Sequence, residues 1–330
     1  MPDWARAHGA PLFSAGIRRE IDDFDVTEDL GFDFSRDGEH DYLFIEKRGA
    51  NTEWVSRQLA HHADVPARDV GYAGLKDRHA VTRQWFSVPR WNTPDWGQLQ
   101  VDGVRILDQQ RHSRKLRRGA HKANRFRIIL RGRVPDGREL DARLGIIGSA
   151  GVPNYFGEQR FGRGGSNIRL ADAWSQGKRL SRHKRSIAIS TARSYLFNQI
   201  LEKRVHDGSW NRLVPGDIAN LDGSGSVFAV DALSEDLERR CDEMDIHPTG
   251  PLCGDGTPGS LLPIGNEGWV TALADARVKP ANRSLRLRVL DLGWSTSADC
   301  LVIEFALSRG SFATVVLREI AEAHDTMRPS

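Results

Sequence analysis

The segment GYAGLKDRHA at residues 71–80 contains an acid in a setting suited to chemistry. Asp77 lies between Lys76 and Arg78, three residues after Gly74, and the strand-forming stretch VTRQWFSV follows. Because nearby positive charge favours the ionised form of a carboxyl group, Asp77 could serve as a nucleophile or general base. The alternative is structural: an aspartate that caps its own turn. The residues of this segment alone leave both interpretations open.

The positive charges of the chain are unevenly distributed. No acid lies between Asp108 and Asp136, and none lies between Asp172 and Glu202, although the net charge is only +3. Lys and Arg release counterions from a nucleic-acid backbone, so two such stretches favour phosphate binding over the alternative of solvated protein faces. The cations of the two stretches are Arg111, Arg114, Lys115, Arg117, Arg118, Lys122, Arg125, Arg127, Arg131 and Arg133, then Lys178, Arg179, Arg182, Lys184, Arg185 and Arg193.

Several other enzyme classes lack their sequence signatures. The match to GxGxxG at 254–259, GDGTPG, follows no clear strand, and Pro258 would lie inside the helix that the motif must open. The sequence contains no P-loop, nucleophile elbow or HExxH motif, and its three cysteines show no CxxC spacing. We therefore expect no dinucleotide-binding site, no metal site and no disulfide framework.

Length and composition indicate a folded, water-soluble protein. The chain has 330 residues, of which 39% are hydrophobic and 28% are charged, and this length favours two domains. There is no run of 18 apolar residues, and the opening segment lacks the apolar core of a signal peptide. We expect a cytoplasmic protein without membrane association.

The elements around Asp77 are predicted from hydrophobic patterning. Residues 24–30 and 41–46 are rich in β-formers and predict strands, and Asn51 or Thr52 could cap the helix that follows. The GYAGLKDRHA segment then precedes a further strand, so we expect it to be a loop at a strand end. Loops held by a rigid sheet commonly carry function.

Later segments complete the predicted architecture. In NRFRIILR at 124–131, alternation places the apolar residues on one face of a strand and the arginines on the other, which would face phosphate. Glycine-rich residues 148–167 indicate a domain junction. A helix is predicted near 186–205, strands are predicted at 285–292 and 300–307, and Ser311 is predicted to cap a final helix that extends to Ile320.

The string GYAGLKDRHAVTRQW resembles the signature of the TruD pseudouridine synthases. Further matching elements occur in family order, and together they cover essentially the whole chain. They are EDLGF at 28–32, RHSRKLRRGAHKANRF at 111–126, GVPNYFGEQRFGRGGSN at 151–167, ARSYLFNQI at 192–200 and GSFATVVLRE at 310–319.

The resemblance implies isomerisation of a uridine in tRNA, at position 13 in the bacterial members, with Asp77 at the position of the catalytic aspartate. The reaction converts an N-glycosidic bond into a C-glycosidic bond and consumes neither electrons nor water, so no cofactor or metal is implied. The carboxylate could attack the ribose C1′ or the uracil ring, or remove the ribose 2′ proton to give a glycal. The sequence does not choose among these.

Five further positions acquire expected roles from the resemblance. An extruded uracil should stack on aromatic surface, and Phe126 matches the phenylalanine that lines the base pocket, although alternation alone makes it strand core. Asn124 could pair with a polar edge of the uridine or could be a turn asparagine. Phe24 and Phe312 match positions that approach the substrate, with simple burial as the alternative. Arg18 stands where the family tends to place a lysine, which puts a specific role in doubt.

The implied fold is α+β, a pseudouridine synthase fold with a mainly antiparallel mixed sheet flanked by helices. The catalytic domain is expected at 1–149 and 286–330, with an inserted α/β TRUD domain at 150–285. The expected partner is tRNA, and no obligatory protein partner is predicted.

Two other function classes remain as alternatives. One is a non-catalytic RNA-binding protein or chaperone, for which an intact GLKDRHA would be unnecessary. The other is a different RNA enzyme, such as a metal nuclease or a deaminase, although the HxE and PCxxC elements of zinc deaminases are missing.

Overall fold

The structure is a computed structural model that describes residues 2–135, 137–259 and 265–327. Its backbone divides into two compact units, here named the sheet unit and the helical unit. The sheet unit comprises the described residues of Leu12–Glu139, Leu290–Gly310 and Ala321–Ser330, and the helical unit those of Met1–Pro11, Leu140–Val289 and Ser311–Ile320.

The sheet unit is built on a 10-stranded mixed sheet. Seven of its strands follow the spatial order β14-β15-β7-β2-β5-β3-β6, while β1 pairs with β16 and β7, and β4 pairs with β5. Only the β1–β16 and β2–β5 pairs are parallel among the described strands. The strands are β1 (Phe13–Ile17), β2 (Phe24–Asp29), β3 (His40–Arg48), β4 (Gly71–Tyr72), β5 (Val81–Pro89), β6 (Val104–His112), β7 (Ala123–Arg131), β14 (Leu290–Ser297), β15 (Cys300–Ser308) and β16 (Ala321–Asp325).

Side-chain alternation explains how this sheet is buried. On β7, Phe126, Ile128 and Leu130 are buried at 9%, 0% and 0% exposure, as the sequence predicts for an inward face. Helix α1 (Thr52–His62) turns Val55 and Leu59 into the apolar core next to β3 and β5. The expected α+β class with a mixed, mainly antiparallel sheet is confirmed.

The helical unit contains most of the α-helices together with two small sheets. A four-stranded sheet has the order β10-β9-β11-β12, and β13 pairs with β8. Buried side chains of α3, α4 and α6 form one apolar core. The helices are α2 (Gly137–Ala150, whose first turn lies in the sheet unit), α3 (Ser166–Ser175), α4 (Arg182–His206), α5 (Glu235–Asp242), α6 (Glu267–Asp275) and α7 (Ala313–Leu317). The strands are β8 (Val152–Pro153), β9 (Ile218–Leu221), β10 (Val227–Ala229), β11 (Ile246–Leu252), β12 (Ala281–Ser284) and β13 (Arg286–Leu287).

Short 3-10 helices lie between these elements. They are Ile21–Asp23, Ala67–Asp69, Trp96–Gln98, Glu158–Phe161 and Arg163–Gly165.

Two sequence predictions about elements are wrong in detail. The strand predicted at 285–292 is interrupted, because β13 ends at Leu287 and β14 begins at Leu290. The predicted cap Ser311 is not the N-cap of the last helix. Phe312 holds that position, and the helix ends at Leu317, so that Ile320 is buried beyond its end. Within the described residues, no helix has the length and apolar composition needed to cross a membrane.

Candidate active site

Asp77 lies in the loop between β4 and β5, here named the catalytic loop (residues 73–80). Strands β4 and β5 pair antiparallel, with Tyr72 opposite Phe86, and therefore fix both ends of this loop. The Asp77 side chain is 19% exposed, and its Oδ1 accepts a hydrogen bond from the backbone N–H of His79 at 3.2 Å. The carboxylate is thus held at the edge of the sheet while part of it reaches the surface.

Arg18 is a cation in contact with this carboxylate. Its Nη2 lies 3.0 Å from Oδ2 of Asp77, and its side chain is only 5% exposed. The chain neighbours of Asp77 have other contacts: Lys76 Nζ lies 2.7 Å from Glu28 Oε2, and Arg78 Nε donates to the carbonyl of Gly49 at 3.2 Å. Partial burial strengthens the Arg18–Asp77 attraction relative to an exposed pair.

Arg18 is itself held by three groups. Besides Asp77, its Nη1 donates to Asp325 Oδ2 at 2.6 Å, and its guanidinium carbon lies 4.1 Å from the centre of the Phe24 ring. A planar guanidinium can bridge two carboxylates while stacking on a ring, and an ammonium cannot reproduce that geometry. The structure therefore gives Arg18 a direct contact with Asp77.

The Phe24 ring continues into a row of aromatic side chains. Phe24 and Phe126 meet edge to face at a centroid distance of 6.2 Å, and Phe126 stacks on Phe305 at 5.4 Å. These rings come from the adjacent strands β2, β7 and β15. Sequence reasoning identified Phe24 and Phe126 but missed Phe305, which the alternation of β15 would have placed on the buried face.

Asn124 lies two residues before Phe126 and contacts His121. Its Nδ2 is 3.4 Å from Nε2 of His121, and a Cβ built on Gly74 would lie 3.6 Å from Cε1 of the same ring, so this pair borders the catalytic loop. Burial, followed by the charge of Lys76, lowers the pKa of His121, which keeps the ring neutral near pH 7. If Asn124 donates to Nε2, the ring proton lies on Nδ1.

Two buried polar atoms of this pair have no hydrogen-bond partner among the described residues. They are Oδ1 of Asn124, an acceptor, and Nδ1 of His121, a donor in that tautomer. Buried polar groups are normally paired. A ligand edge that offers one donor and one acceptor would satisfy both atoms.

The backbone of the catalytic loop is held from below by buried polar side chains. Lys47 is fully buried, and its Nζ donates to the carbonyls of Ala50 at 2.7 Å and Asp77 at 3.0 Å. Burial lowers the pKa of Lys47 to about 8, while the charge of Asp77 acts in the opposite direction and that of Lys76 lowers it further. The backbone of the catalytic loop is therefore held by a lysine whose burial in the charged form costs folding free energy.

A second support runs through Thr52 and Gln84. The Thr52 hydroxyl accepts from the N–H of Lys76 at 3.0 Å and donates to Gln84 Oε1 at 2.9 Å. Gln84 Nε2 in turn donates to the carbonyl of Gly74 at 3.2 Å. Thr52 was predicted only as a possible helix cap, and Gln84 was not singled out.

Glu28 forms the third support. Its side chain is fully buried, with Oε2 on Lys76 Nζ at 2.7 Å and Oε1 accepting from the N–H of Trp85 at 3.2 Å. This buried ion pair ties the loop to β2 and β5. Glu28 belongs to the EDLGF motif, which was the sequence signal that could have identified it.

Phe312 lies in the helical unit, where it is the half-buried N-cap residue of α7. The other predicted residues, Asp77, Arg18, Phe24, Asn124 and Phe126, all lie in the sheet unit. Among the described residues, no cluster of three or more His, Cys, Asp or Glu side chains could hold a metal ion.

Comparison with known proteins shows what this chain is similar to. A family model described as tRNA pseudouridine synthase D (TruD) matches residues 7–171 and 168–261. A protein named tRNA pseudouridine synthase D from Methylococcus capsulatus is 46% identical over 336 residues, covering 97% of this chain and 94% of that protein. One of the same name from Pseudomonas putida is 44% identical, covering 96% of this chain and 94% of that protein.

This chain belongs to the tRNA pseudouridine synthase D family. The resemblance found in the sequence motifs is thereby confirmed. A crystal structure from Methanosarcina mazei, described as that of a candidate tRNA pseudouridine synthase D, shares the fold with a TM-score of 0.75 at 20% identity, covering 96% of each chain.

Seven of the ten cations of the first acid-free stretch fall into two groups in this family member. Residues 113–118, here named the basic segment, form a connection after β6, in which Arg114, Lys115, Arg117 and Arg118 are exposed. Within the described part of the chain, these four residues form no salt bridge to an acid. The segment is held by its backbone instead, since Leu116 N–H donates to Ser87 Oγ at 2.8 Å.

The arginines of β7 behave differently. Arg125 pairs with Asp291 at 2.8 Å, Arg127 with Glu304 at 3.3 Å and Arg131 with Asp23 at 2.6 Å. The sequence predicted that they would face phosphate, but their charges are already compensated by acids from other parts of the sheet unit.

Proposed function

We propose that this chain converts one uridine of tRNA, uridine 13, into pseudouridine, with Asp77 as the reacting carboxylate and without a cofactor. The observation that carries the proposal is the Asp77 carboxylate fixed beside Arg18 in the loop of a tRNA pseudouridine synthase D family member. The names of the relatives in Methylococcus and Pseudomonas support the tRNA substrate.

The isomerisation requires from the protein a carboxylate and a pocket that holds the uridine. The bond between ribose C1′ and uracil N1 breaks, a bond from C1′ to C5 forms, and the proton lost from C5 is balanced by one gained at N1. Asp77 could act on C1′, on the uracil ring or on the 2′ proton, and these routes remain open. Arg18 is then a positioning residue that holds the carboxylate in a fixed orientation.

The polar pair next to the loop suits a uracil. Uracil presents an N3–H donor between two carbonyl acceptors, and Asn124 Oδ1 and His121 Nδ1 supply one acceptor and one donor. A base extruded from folded RNA needs both an aromatic surface and such hydrogen bonds. We propose that Phe126 and Asn124 contact the uridine, and that Phe24, Phe312 and Arg18 are further substrate-binding residues.

The test is to incubate the full chain with unmodified tRNA transcript and no added cofactor, and then to map pseudouridine by carbodiimide treatment and primer extension. Asp77→Asn should abolish product while tRNA affinity stays within about tenfold, or roughly 1.4 kcal/mol. The matched control is Asp102→Asn, an exposed aspartate of the same unit, which should retain wild-type turnover.

Three outcomes would correct the proposal. Normal turnover by Asp77→Asn would remove this carboxylate from the mechanism. If pseudouridine forms at another uridine, the proposed target is wrong, but the proposed reaction still holds. Tight binding without any product from the wild-type chain would favour a non-catalytic RNA-binding protein.

A further inference from the structure

A cavity of about 280 Å³ lies at the surface of the sheet unit and shares Lys115, Leu116 and Arg117 of the basic segment with a larger groove of about 590 Å³. It combines aromatic rings with positive charge, and none of its lining residues is an acid. The lining residues are Phe32, Tyr42, His112, Arg114, Lys115, Leu116, Arg117 and Ala120.

Its aromatic wall presents a ring to solvent and holds that ring in place. Phe32 is 38% exposed, although it is a large apolar side chain. Its ring lies 5.5 Å from that of His112 at an interplanar angle of 35° and 6.0 Å from that of Phe34. Phe34 packs in turn on Trp85 at 4.7 Å and on Tyr42 at 5.3 Å. An exposed ring backed by a fixed aromatic cluster is a stacking surface for a flat ligand.

His112 adds a directed hydrogen-bond donor to this wall. Its Nδ1 accepts from the backbone N–H of Ser35 at 3.2 Å. In the neutral ring the proton is therefore on Nε2. A base that stacks on Phe32 would find this donor at its edge.

The opposite rim carries three exposed cations on a fixed backbone. Arg114, Lys115 and Arg117 are all exposed, while the Arg114 carbonyl accepts from the Tyr42 hydroxyl at 3.0 Å. Buried Leu116 anchors the centre of the segment. The flat apolar wall and the cationic rim together match a nucleotide, whose base is flat and whose phosphate is negative.

This cavity is linked directly to the catalytic loop. The N–H of Gly119, just after the basic segment, donates to the Ala73 carbonyl at 2.7 Å. Ala73 also shares an apolar cluster with Leu116 and Tyr42. The catalytic loop therefore begins at Ala73, beside this cavity, and continues through Asp77 to the start of β5 at Val81.

We propose that the cavity, here named the second base pocket, holds one unpaired nucleotide of the substrate RNA other than the reacting uridine. Its base stacks on Phe32 and meets the Nε2–H of His112, and its phosphate lies on the cations of the basic segment. The inference rests on the proposed function for the identity of the RNA. It deepens that function by adding a contact that fixes the register of the tRNA.

The experiment measures base protection in tRNA bound to the full chain carrying Asp77→Asn, so that the substrate stays unmodified. Chemical probing should show protection of one unpaired base besides the target uridine. Adding Phe32→Ala should remove that protection and weaken tRNA binding about tenfold, whereas Phe32→Trp should preserve both, since stacking tolerates any aromatic ring. On the active chain, Phe32→Ala should raise KM and leave kcat within about twofold.

The matched control is Trp91→Ala, which removes a 63% exposed aromatic ring of the same unit outside the pocket and should change neither KM nor protection. Millimolar adenosine monophosphate should fail to displace the tRNA. Displacement by the free nucleotide would overturn the RNA assignment in favour of a mononucleotide site.

Other outcomes also decide the question. If only the target uridine is protected in the Asp77→Asn complex, the pocket holds no second base, and this conclusion holds even if Phe32→Ala proves unstable. Protection and KM that do not respond to Phe32→Ala would leave the pocket to a different partner, such as an acidic protein segment. Protection that depends on Phe32 in a wild-type chain that makes no pseudouridine would uphold the pocket and reject the proposed function.

Discussion

Two adjoining loops of the sheet unit use charge in opposite ways. In the catalytic loop, Lys76 and Asp77 each have a partner of opposite charge, Glu28 and Arg18, and all four side chains are at most 19% exposed. In the basic segment, the four cations are exposed and, within the described residues, none of them pairs with an acid, although Lys115 Nζ donates to the Arg68 carbonyl at 2.6 Å and the Arg118 guanidinium lies over the Tyr72 ring. The charged side chains of the catalytic loop are held in fixed pairs, whereas we propose that those of the basic segment contact the phosphates of tRNA.

The strand β7 shows that sequence composition alone does not distinguish cations that pair with acids from cations that do not. Its arginines belong to the same acid-free stretch as the basic segment, yet Arg125, Arg127 and Arg131 pair with Asp291, Glu304 and Asp23. A charge that a distant acid compensates contributes little to counterion release. The surface available to RNA is therefore narrower than the sequence suggested.

The largest expected effect comes from breaking the buried pair beneath the catalytic loop. Glu28→Leu should lower the free energy of unfolding by about 4 kcal/mol, because it leaves the Lys76 ammonium buried without a partner. Denaturant unfolding measures the change. Glu304→Ala, which breaks the half-exposed pair with Arg127, is the matched control and should cost less than about 1 kcal/mol.

If Glu28→Leu and Glu304→Ala lower the free energy of unfolding by the same amount, the buried pair beneath the catalytic loop contributes no more than a half-exposed pair, and the distinction drawn here is wrong. Glu28→Gln is a further test, because it keeps a hydrogen-bonding amide within reach of Lys76 and removes the charge. Its free energy of unfolding should lie between those of the wild type and Glu28→Leu.

Only part of this structure could be predicted from the sequence. The α+β class was implied by the family resemblance, whereas the strands β2, β3, β5, β7 and β15 and the inward face of β7 were predicted from the local pattern of residues. Asp77 itself was identified by motif resemblance, since its residue type and neighbours also fit a turn aspartate.

The contacts that support Asp77 were not predicted, although Arg18 was named as a substrate-binding position and Thr52 as a possible helix cap. The reason is physical: Arg18, Lys47 and Thr52 contact the catalytic loop only through the tertiary fold, which brings together segments far apart in sequence. A buried lysine has no local signature, because its position in β3 has the same alternation as a solvent-facing one. The acid partners of the β7 arginines were missed for the same reason.

The next effect is a pH dependence that belongs to Lys47. Since burial lowers the pKa of Lys47 to about 8, the folded chain loses this proton at a lower pH than the unfolded chain, where the lysine titrates near 10.4. The penalty for burying the charge is complete below pH 8 and is relieved as the pH rises. The unfolding free energy of wild type relative to Lys47→Met should therefore increase by about 2 kcal/mol between pH 7 and pH 10.

Parallel denaturant titrations of wild type and Lys47→Met at each pH measure this difference, and subtraction removes the titration of other groups. A difference that stays constant with pH would show that Lys47 keeps its proton in the folded chain. If the difference decreases as the pH rises, the charge of Asp77 raises the pKa of Lys47 by more than burial lowers it. Lys47→Met should also lower kcat, because the Asp77 carbonyl loses its donor.

The smallest expected effect tests the basic segment directly. Lys115→Ala combined with Arg118→Ala should weaken tRNA binding about tenfold, or roughly 1.4 kcal/mol, because two exposed cations no longer contact phosphate. The slope of log affinity against log salt should become shallower by about 1.5, since each phosphate contact contributes about 0.7 to 0.9. Filter binding at several salt concentrations measures both quantities.

The matched control changes the same number of cations in the same acid-free stretch. Arg125→Ala combined with Arg127→Ala removes arginines that already pair with Asp291 and Glu304, so affinity should stay within about twofold and the slope should change little. If the β7 pair shifts the slope as much as the Lys115 and Arg118 pair, RNA displaces the acids and draws on both groups. In that case compensation within the free protein does not decide which cations bind. An unchanged slope for Lys115 and Arg118 would instead place the RNA backbone away from the basic segment.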